Sequence, residues 1–509
     1  MCGILFSKSS NKKITYNSFK KALEKQKWRG PDFMDISKEN FGSWLGHVRL
    51  SILGLDKESN QPMTSSCGQF KIIYNGEIYN HQDIRNKLNL DCKTTSDTET
   101  IIEAFSKIGT NSFELLDGMF AFVIFDVRSG EWWAFRDRYG IKPLFIYNDG
   151  DQTIVSSETI SIRNIIDCSV CEESIKEWEI IRRPIPGKTF FKTIEEVLPG
   201  SIIFNGKLVS KISSKPINLQ NSYEEKDLFK ILEDSIRMHE LSEVENVCLL
   251  SGGIDSSIIA AVSDTNKTYS IGLIDNNEIK EAAETAELLS KDIFSLAIDK
   301  DKLINAWEYL INLRGEPLSV PNEGLIYLIC SSMKDNEKVV LTGEGADELF
   351  FGYDRIFREA SLNKNFGEEM FFEMYGYADK KKSCARLNDY LDNLRFGKDN
   401  IDFLEDYFLD VHLTGLLRRM DMSSMAASKE ARVPFVSKKL IDYMYRQPKD
   451  IKISSTHSKI PLRNLCKKLG LQGPINRKKI GFSSTFNDGG RLEEYKYFRN
   501  ISMEILGWS

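Results

Sequence analysis

The sequence predicts two folds in series: an α+β layered sandwich over residues 1–209, then an α/β doubly wound parallel sheet with a helical C-terminal part. Three observations predict it. The first stretch carries short β-like runs at 69–74, 118–126, 132–135, 143–147 and 153–156. Turn residues separate them, as at Asn75-Gly76, Ser129-Gly130 and Asp149-Gly150-Asp151. From residue 246 the grammar changes to alternating strands and helices, the signature of a parallel sheet covered on both faces. Between the two, 210–222 is short of large hydrophobes and rich in Ser, Lys, Asn and Gln, which marks a linker.

In order along the chain, the period of the apolar residues predicts helices at 16–26 and 98–108 among the first strands. After the linker, Leu228, Ile231, Leu232, Ser235 and Ile236 form one stripe of an amphipathic helix. Strands follow at 246–250, 267–273, 293–298 and 338–341. Helices between them are expected at 255–262, 279–290, 300–313 and 322–333. From Ala346 onward the pattern is mostly helical, and 357–417 offers no motif.

Composition narrows the function. The 68 basic and 74 acidic residues leave a net charge of −6, which weighs against a nucleic-acid partner held by bulk electrostatics. No apolar run approaches the roughly 20 residues of a membrane helix, and no secretory leader is visible, so no membrane partner is expected. Nine scattered cysteines, an odd number, read as buried thiols of a reducing, cytoplasmic compartment. The expected partners are small molecules and, at most, a second copy of the chain as a homodimer.

Cys2 follows the initiator Met1 and precedes the small Gly3. Removing Met1 would place a thiol and a free α-amine on one carbon. An α-amine with a pKa of about 7.7–8.0 can take the thiol proton near neutral pH without a histidine. Alone, this cysteine also fits a chance residue at a terminus.

A second constellation lies at Ser251-Gly252-Gly253-Ile254-Asp255-Ser256-Ser257, between a predicted strand and a predicted helix. Two glycines let backbone N–H groups approach an anion, and the serine hydroxyls add donors. Asp255 is placed to hold a Mg²⁺ bridging phosphate oxygens. No lysine follows as in a Walker loop, so transfer of a γ-phosphate is not predicted. Near residue 342 a further strand runs into Thr342-Gly343-Glu344-Gly345-Ala346-Asp347-Glu348. Ligands sit at the carboxyl ends of strands in such sheets, so both turns face one crevice. There Asp255 and Asp347 would share a metal, and Glu344 would act as a base. By itself the second turn also fits a helix start decorated with acids for the dipole.

Together these motifs resemble the glutamine-hydrolysing asparagine synthetase family. That resemblance implies an N-terminal-nucleophile glutaminase domain at 1–209, the linker at 210–222, and an ATP-pyrophosphatase synthetase domain at 223–509. Cys2-Gly3-Ile4 corresponds to the nucleophile, and Arg29-Gly30-Pro31-Asp32 and 136–144 are further family segments. The stretch Arg49-Leu50-Ser51-Ile52-Leu53, with Glu77 and Asp97, is implied to bind glutamine, Arg49 clamping its α-carboxylate and Asp97 its amine. Asn75 and the Gly76 N–H are implied as the oxyanion hole. For ATP the resemblance implies Leu249, Ser251, Gly252, Gly253, Asp255, Ser256, Ile271, Thr342 and Gly343. Glu344 is implied in adenylate formation or amination, and Lys479 of Arg477-Lys478-Lys479 in neutralising the adenylate. The segment 417–435 also fits closely.

The implied chemistry is ATP- and Mg²⁺-dependent. Cys2 releases ammonia from glutamine, and ammonia attacks an acyl-adenylate made from a carboxylic acid, with L-aspartate as the default and asparagine as product. A dry passage would carry the ammonia. One segment departs from the family: Arg314-Gly315-Glu316-Pro317-Leu318-Ser319-Val320-Pro321-Asn322-Glu323 keeps Glu316 and Pro317 but loses the rest of the usual pattern. The same chemistry on a uronic acid sugar for surface polysaccharide is therefore the nearest alternative. A glutaminase or amidohydrolase with a scaffold second domain is another, and a non-catalytic nucleotide-binding regulator a third. The complete sets at both motifs speak against the last two.

Overall fold

The computed structural model of the chain describes residues 2–10, 14–216, 222–274, 278–376, 384–477 and 490–508. Twelve strands form the first half: β1 Cys2–Ser9, β2 Phe33–Glu39, β3 Ser43–Arg49, β4 Met63–Thr64, β5 Phe70–Ile78, β6 Gly118–Asp126, β7 Trp132–Arg136, β8 Phe145–Asn148, β9 Gln152–Ser156, β10 Glu195–Glu196, β11 Ser201–Phe204 and β12 Lys207–Lys211. They make two six-stranded sheets, β10-β8-β9-β1-β3-β2 and β12-β11-β7-β6-β5-β4, and the pairings are antiparallel throughout.

Period-two alternation decides the layers. On β1, Ile4 and Phe6 enter the core between the sheets with Leu45, Ile73, Val123 and Phe125. Leu5 points the other way, into a core with Phe19, Ala22 and Leu23 of the helix Tyr16–Glu24. That helix starts in a capping box between Thr15 and Ser18. On β6, Ala121, Val123 and Phe125 face inward, while Phe120, Phe122 and Ile124 meet Ile101, Ile102 and Phe105 of the helix Asp97–Ile108. Each fully buried Leu, Ile, Val or Phe among them stabilises the stack by roughly 1.5–3 kcal/mol. The result is helix, sheet, sheet, helix, as the sequence predicts.

One local expectation fails. Asn75-Gly76 is not a turn but lies inside β5, opposite Ala121 and Phe120. A Cβ on Gly76 would stand 2.1 Å from the Met119 carbonyl oxygen, so glycine here permits close strand approach.

The second half builds on a five-stranded parallel sheet: β13 Glu245–Leu249, β14 Lys267–Leu273, β15 Asp292–Ile298, β16 Glu337–Leu341 and β17 Glu430–Arg432, in the order β15-β14-β13-β16-β17. Helices Lys300–Arg314 and Glu323–Ser331 cover one face with Leu303, Trp307, Leu325 and Ile329. Helices Glu225–His239 and Ile254–Val262 cover the other with Leu228, Leu232, Ile258 and Ile259. β17 interrupts the stretch expected to be helical; three residues are too few to show a period. The order reverses between β13 and β16, which is where such sheets open a crevice.

The two halves pack closely. Trp178 Nε1 donates to the Leu318 carbonyl at 2.8 Å, and Arg163 Nη1 to the Gly315 carbonyl at 2.8 Å. No helix among the described residues is long and apolar enough to cross a membrane.

Candidate active site

Cys2 opens β1 directly opposite Arg49 at the end of β3. Its backbone nitrogen donates to Asn75 Oδ1 at 2.9 Å, and its carbonyl accepts from Arg29 Nε at 3.0 Å. A cavity of about 30 Å³ at this point is lined by Cys2, Arg49, Leu50, Ile52, Leu53, Gly76, Glu77 and Asp97, with Ser59, Gln61, Tyr74, Ser96 and Thr98. Eight residues named from the sequence thus converge. Ser51 does not join them; its N–H donates to Asp32 Oδ2 at 2.8 Å. Ser59, Gln61 and Tyr74 lie outside the recognisable motifs, and only the fold brings them in.

Two buried polar atoms around Cys2 lack protein partners: Asn75 Nδ2, a donor, and Glu77 Oε1, an acceptor. Asp97 Oδ2 accepts from the Tyr74 hydroxyl at 2.6 Å and the Ile78 N–H at 2.9 Å. Arg49 donates to the Asp56 carbonyl at 3.1 Å, to Asn60 Oδ1 at 2.6 Å and to the Gly54 carbonyl. Burial pushes the Cys2 thiol up, opposed by the nearby N-terminal charge, the Leu50 N–H and Arg49.

The second centre lies across the sheet's switch point. Residues 251–253 leave β13 and enter the helix Ile254–Val262. Ser251 Oγ lies 3.0 Å from Ser256 Oγ, and Arg477 Nη1 donates to the Gly252 carbonyl at 3.0 Å and to Thr285 Oγ1 at 2.8 Å, pinning the loop to the helix Ile279–Leu288. A Cβ on Gly343 would stand 2.9 Å from Asp255 Cβ, so glycine lets the loop after β16 touch the phosphate-type loop. Leu249 ends β13 and Ile271 lies in the neighbouring β14, both in the same core. Thr342 N–H donates to the Arg432 carbonyl at 3.0 Å, and Glu344 pairs with Arg419.

Asp255 and Asp347 come together, with the Lys459 ammonium between them, 2.5 Å from Asp255 Oδ2 and 2.7 Å from Asp347 Oδ1. Lys459 is not among the residues singled out from the sequence; the fold brings it here. Lys479 lies outside the described residues. Between the centres, Arg29 pairs with Glu158 at 2.7 Å and Asp421 at 2.8 Å, and Lys142 reaches Asp421 at 3.2 Å. Arg432, beside the second centre, pairs with Glu77 of the first at 3.2 Å.

A thiol pocket at the start of an αββα sandwich, fused to a nucleotide-type crevice, defines a glutamine amidotransferase coupled to an ATP-dependent ligase. Residues 1–213 match the glutamine amidotransferase domain family, and residues 227–501 the asparagine synthase family. The chain belongs to the asparagine synthase family. It is 28% identical to asparagine synthetase [glutamine-hydrolyzing] 1 of Bacillus subtilis over 94% of this chain and 85% of that one. It is 26% identical to asparagine synthetase [glutamine-hydrolyzing] 3 of Bacillus subtilis, covering 95% and 87%. With asparagine synthetase B [glutamine-hydrolyzing] of Escherichia coli it shares 29%, over 77% and 71%.

Proposed function

We propose that the chain makes an amide from a carboxylic acid, ATP and glutamine, hydrolysing glutamine at Cys2 and joining the ammonia to an acyl-adenylate at the β13–β16 crevice. The observation that carries it is the pairing of two centres in one chain, bridged by Arg432 to Glu77 and by Arg29 to Asp421.

At the first centre the Cys2 thiolate attacks the glutamine side-chain amide. The oxyanion forms beside Asn75 Nδ2 and the Gly76 N–H, and the former is a buried donor waiting for an acceptor. Glu77 Oε1 and Asp97 offer acceptors for the amine, and Arg49 a guanidinium for the carboxylate. Leu50, Ile52 and Leu53 exclude water.

At the second centre Ser251, Gly252, Gly253 and Ser256 bind the leaving pyrophosphate, and Leu249, Ile271, Thr342 and Gly343 border the nucleoside. Glu344, held by Arg419, takes the proton released when ammonia becomes an amide. Mg²⁺ arriving with ATP would be held by Asp255 and Asp347, where Asp255 Oδ1 is buried without a hydrogen-bond partner; it would neutralise phosphate charge. Lys479 adds a cation from outside the described residues.

The relatives are named for making asparagine, so L-aspartate is the first acid to try. The altered 314–323 segment favours a different acid, such as a sugar acid. The test is Cys2→Ala. Glutamine-supported amide formation is lost, while AMP release supported by ammonium chloride continues; loss of both overturns the division of labour.

A further inference from the structure

The loop after β16 carries three carboxylates. Glu344 pairs with Arg419, and Asp347 with Lys459. Glu348, buried in the short helix Ala346–Leu349, has no lysine or arginine within ion-pair distance among the described residues. Its one basic neighbour there is His412, with Nε2 3.6 Å from Glu348 Oε1. That oxygen accepts instead from the Tyr353 hydroxyl at 2.6 Å.

Behind Tyr353 the contacts continue. Its oxygen lies 2.8 Å from His412 Nε2. His412 Nδ1 lies 3.1 Å from Arg182 Nη2 and 2.6 Å from the Tyr375 hydroxyl. The guanidinium fixes the direction. It has no acceptor, so Arg182 can only donate, and Nδ1 carries no proton. The ring then holds its proton on Nε2 and gives it to the Tyr353 oxygen. That leaves the Tyr353 proton for Glu348. Three hydrogen bonds therefore run one way, from Arg182 in the first half to a carboxylate in the second. Burial, assisted by Arg182, Arg419 and Arg183 and opposed by Asp347, lowers the His412 pKa well below 6.5, in keeping with a neutral ring.

Two departures from regular structure supply the side chains of this chain of bonds. Residues Phe408–His412 form a turn of π-helix between the helices Asn400–Tyr407 and Leu413–Met425. Such turns are rare and recur at functional sites. Phe408, at its start, stacks on the Tyr353 ring at 4.5 Å, and His412 is its last residue. Arg182 ends the helix Glu172–Ile181 with φ +69°, a left-handed conformation that glycine usually supplies at such an end. We propose that Arg182, His412 and Tyr353 are a positioning relay. It sets Glu348, and with it the neighbouring Asp347 and Glu344, so that the adenylate loop takes its working geometry only while the first half is docked. The proposal rests on the ligase reading.

Two measurements on the full-length protein test it. Nitrogen-15 NMR of the five histidines, with His412 assigned by its loss in His412→Gln, is expected to show a neutral ring protonated on Nε2 at pH 7. A proton on Nδ1, or an imidazolium, overturns the relay. The second measurement is pyrophosphate release from ATP with ammonium chloride and L-aspartate or glucuronic acid, whichever acid wild type accepts. Tyr353→Phe and Arg182→Met are each expected to lower kcat by about tenfold or more, with KM for ATP within about twofold of wild type. Their double variant is expected to lose no more than about threefold beyond the larger single loss, whereas independent packing defects would multiply. His412→Gln keeps an acceptor and a donor, and is expected to retain about a third or more of the wild-type kcat, against about a tenth or less for His412→Phe. Unchanged kcat in the single variants, a loss carried by KM, multiplied losses in the double variant, or a glutamine variant no better than phenylalanine overturns the proposal. Glutamine hydrolysis reports folding and is expected to hold; where His412→Phe loses it, Tyr353→Phe decides. If wild type releases no pyrophosphate with either acid, the ligase reading fails, and the His412 tautomer alone judges the relay.

Discussion

Arg29 and Asp421 stand 392 residues apart in the chain and form a fully buried ion pair, Nη2 to Oδ2 at 2.8 Å. Asp421 Oδ1 also receives Lys142, and Arg29 Nη1 also holds Glu158. Three segments that the sequence marks only as recurring signatures therefore meet at one carboxylate. They join the thiol centre, through Arg29 Nε on the Cys2 carbonyl, to the helix Leu413–Met425 that carries Arg418 and Arg419.

Breaking a buried pair by deleting one partner costs about 3–5 kcal/mol, because the other charge stays desolvated. Asp421→Ala strands Lys142 and leaves Arg29 with Glu158 as its one carboxylate partner among the described residues. Urea denaturation is expected to show a loss within that range. A loss under 1 kcal/mol would mean that water reaches the cluster and that the pair does not hold the halves together.

Asn75 does two tasks with one amide: Oδ1 positions the Cys2 nitrogen, and Nδ2 stays unpartnered. Removing an oxyanion donor typically lowers kcat by about 10²–10³. Asn75→Ala is expected to lower glutamine hydrolysis by that factor while leaving ammonia-supported AMP release unchanged. Unaltered glutamine hydrolysis would remove Asn75 from the oxyanion hole.

Lys459 neutralises the two carboxylates that the sequence singles out for a metal. Without it, Asp255 and Asp347 repel each other and the phosphates of ATP. Lys459→Ala is expected to reduce ammonia-supported pyrophosphate release by at least ~10², on the scale of a lost electrostatic contact in a closed site. Glutamine hydrolysis is the internal control and is expected to hold. Pyrophosphate release at the normal rate would reduce Lys459 to a packing residue.

What the sequence revealed follows from how each signal is stored. The alternation on β6, with Ala121, Val123 and Phe125 against Phe120, Phe122 and Ile124, is local and periodic, and the layers follow from it. Ser251, Asp255 and Glu344 stand in contiguous runs at strand ends, so their crevice could be read as well. Asn75-Gly76 misled as a turn, since a glycine needed for close strand approach has the same letters as one needed for a bend. The pairing of Lys459 with Asp255 and Asp347, and of Arg419 with Glu344, joins residues far apart in the chain, and only tertiary structure collects those.

The last prediction concerns pH and His239. Its ring is buried at the end of the helix Glu225–His239, with Nδ1 2.7 Å from the Ser235 carbonyl, Nε2 without a partner and the Tyr79 ring 4.3 Å away. Burial lowers its pKa to about 3, the Ser235 carbonyl opposing and Arg432 assisting. The folded value lies below the unfolded value of about 6.5, so the stabilisation is complete above pH 6.5 and is lost as pH falls from there toward 3. Between pH 7 and pH 5 this one ring costs wild type about 2 kcal/mol. His239→Asn keeps an N–H for the Ser235 carbonyl but cannot take up a proton. Urea denaturation at both pH values is expected to show wild type losing about 2 kcal/mol more than the variant over this interval. Equal losses would mean that the imidazole protonates in place, and that water or a carboxylate reaches Nε2 in solution.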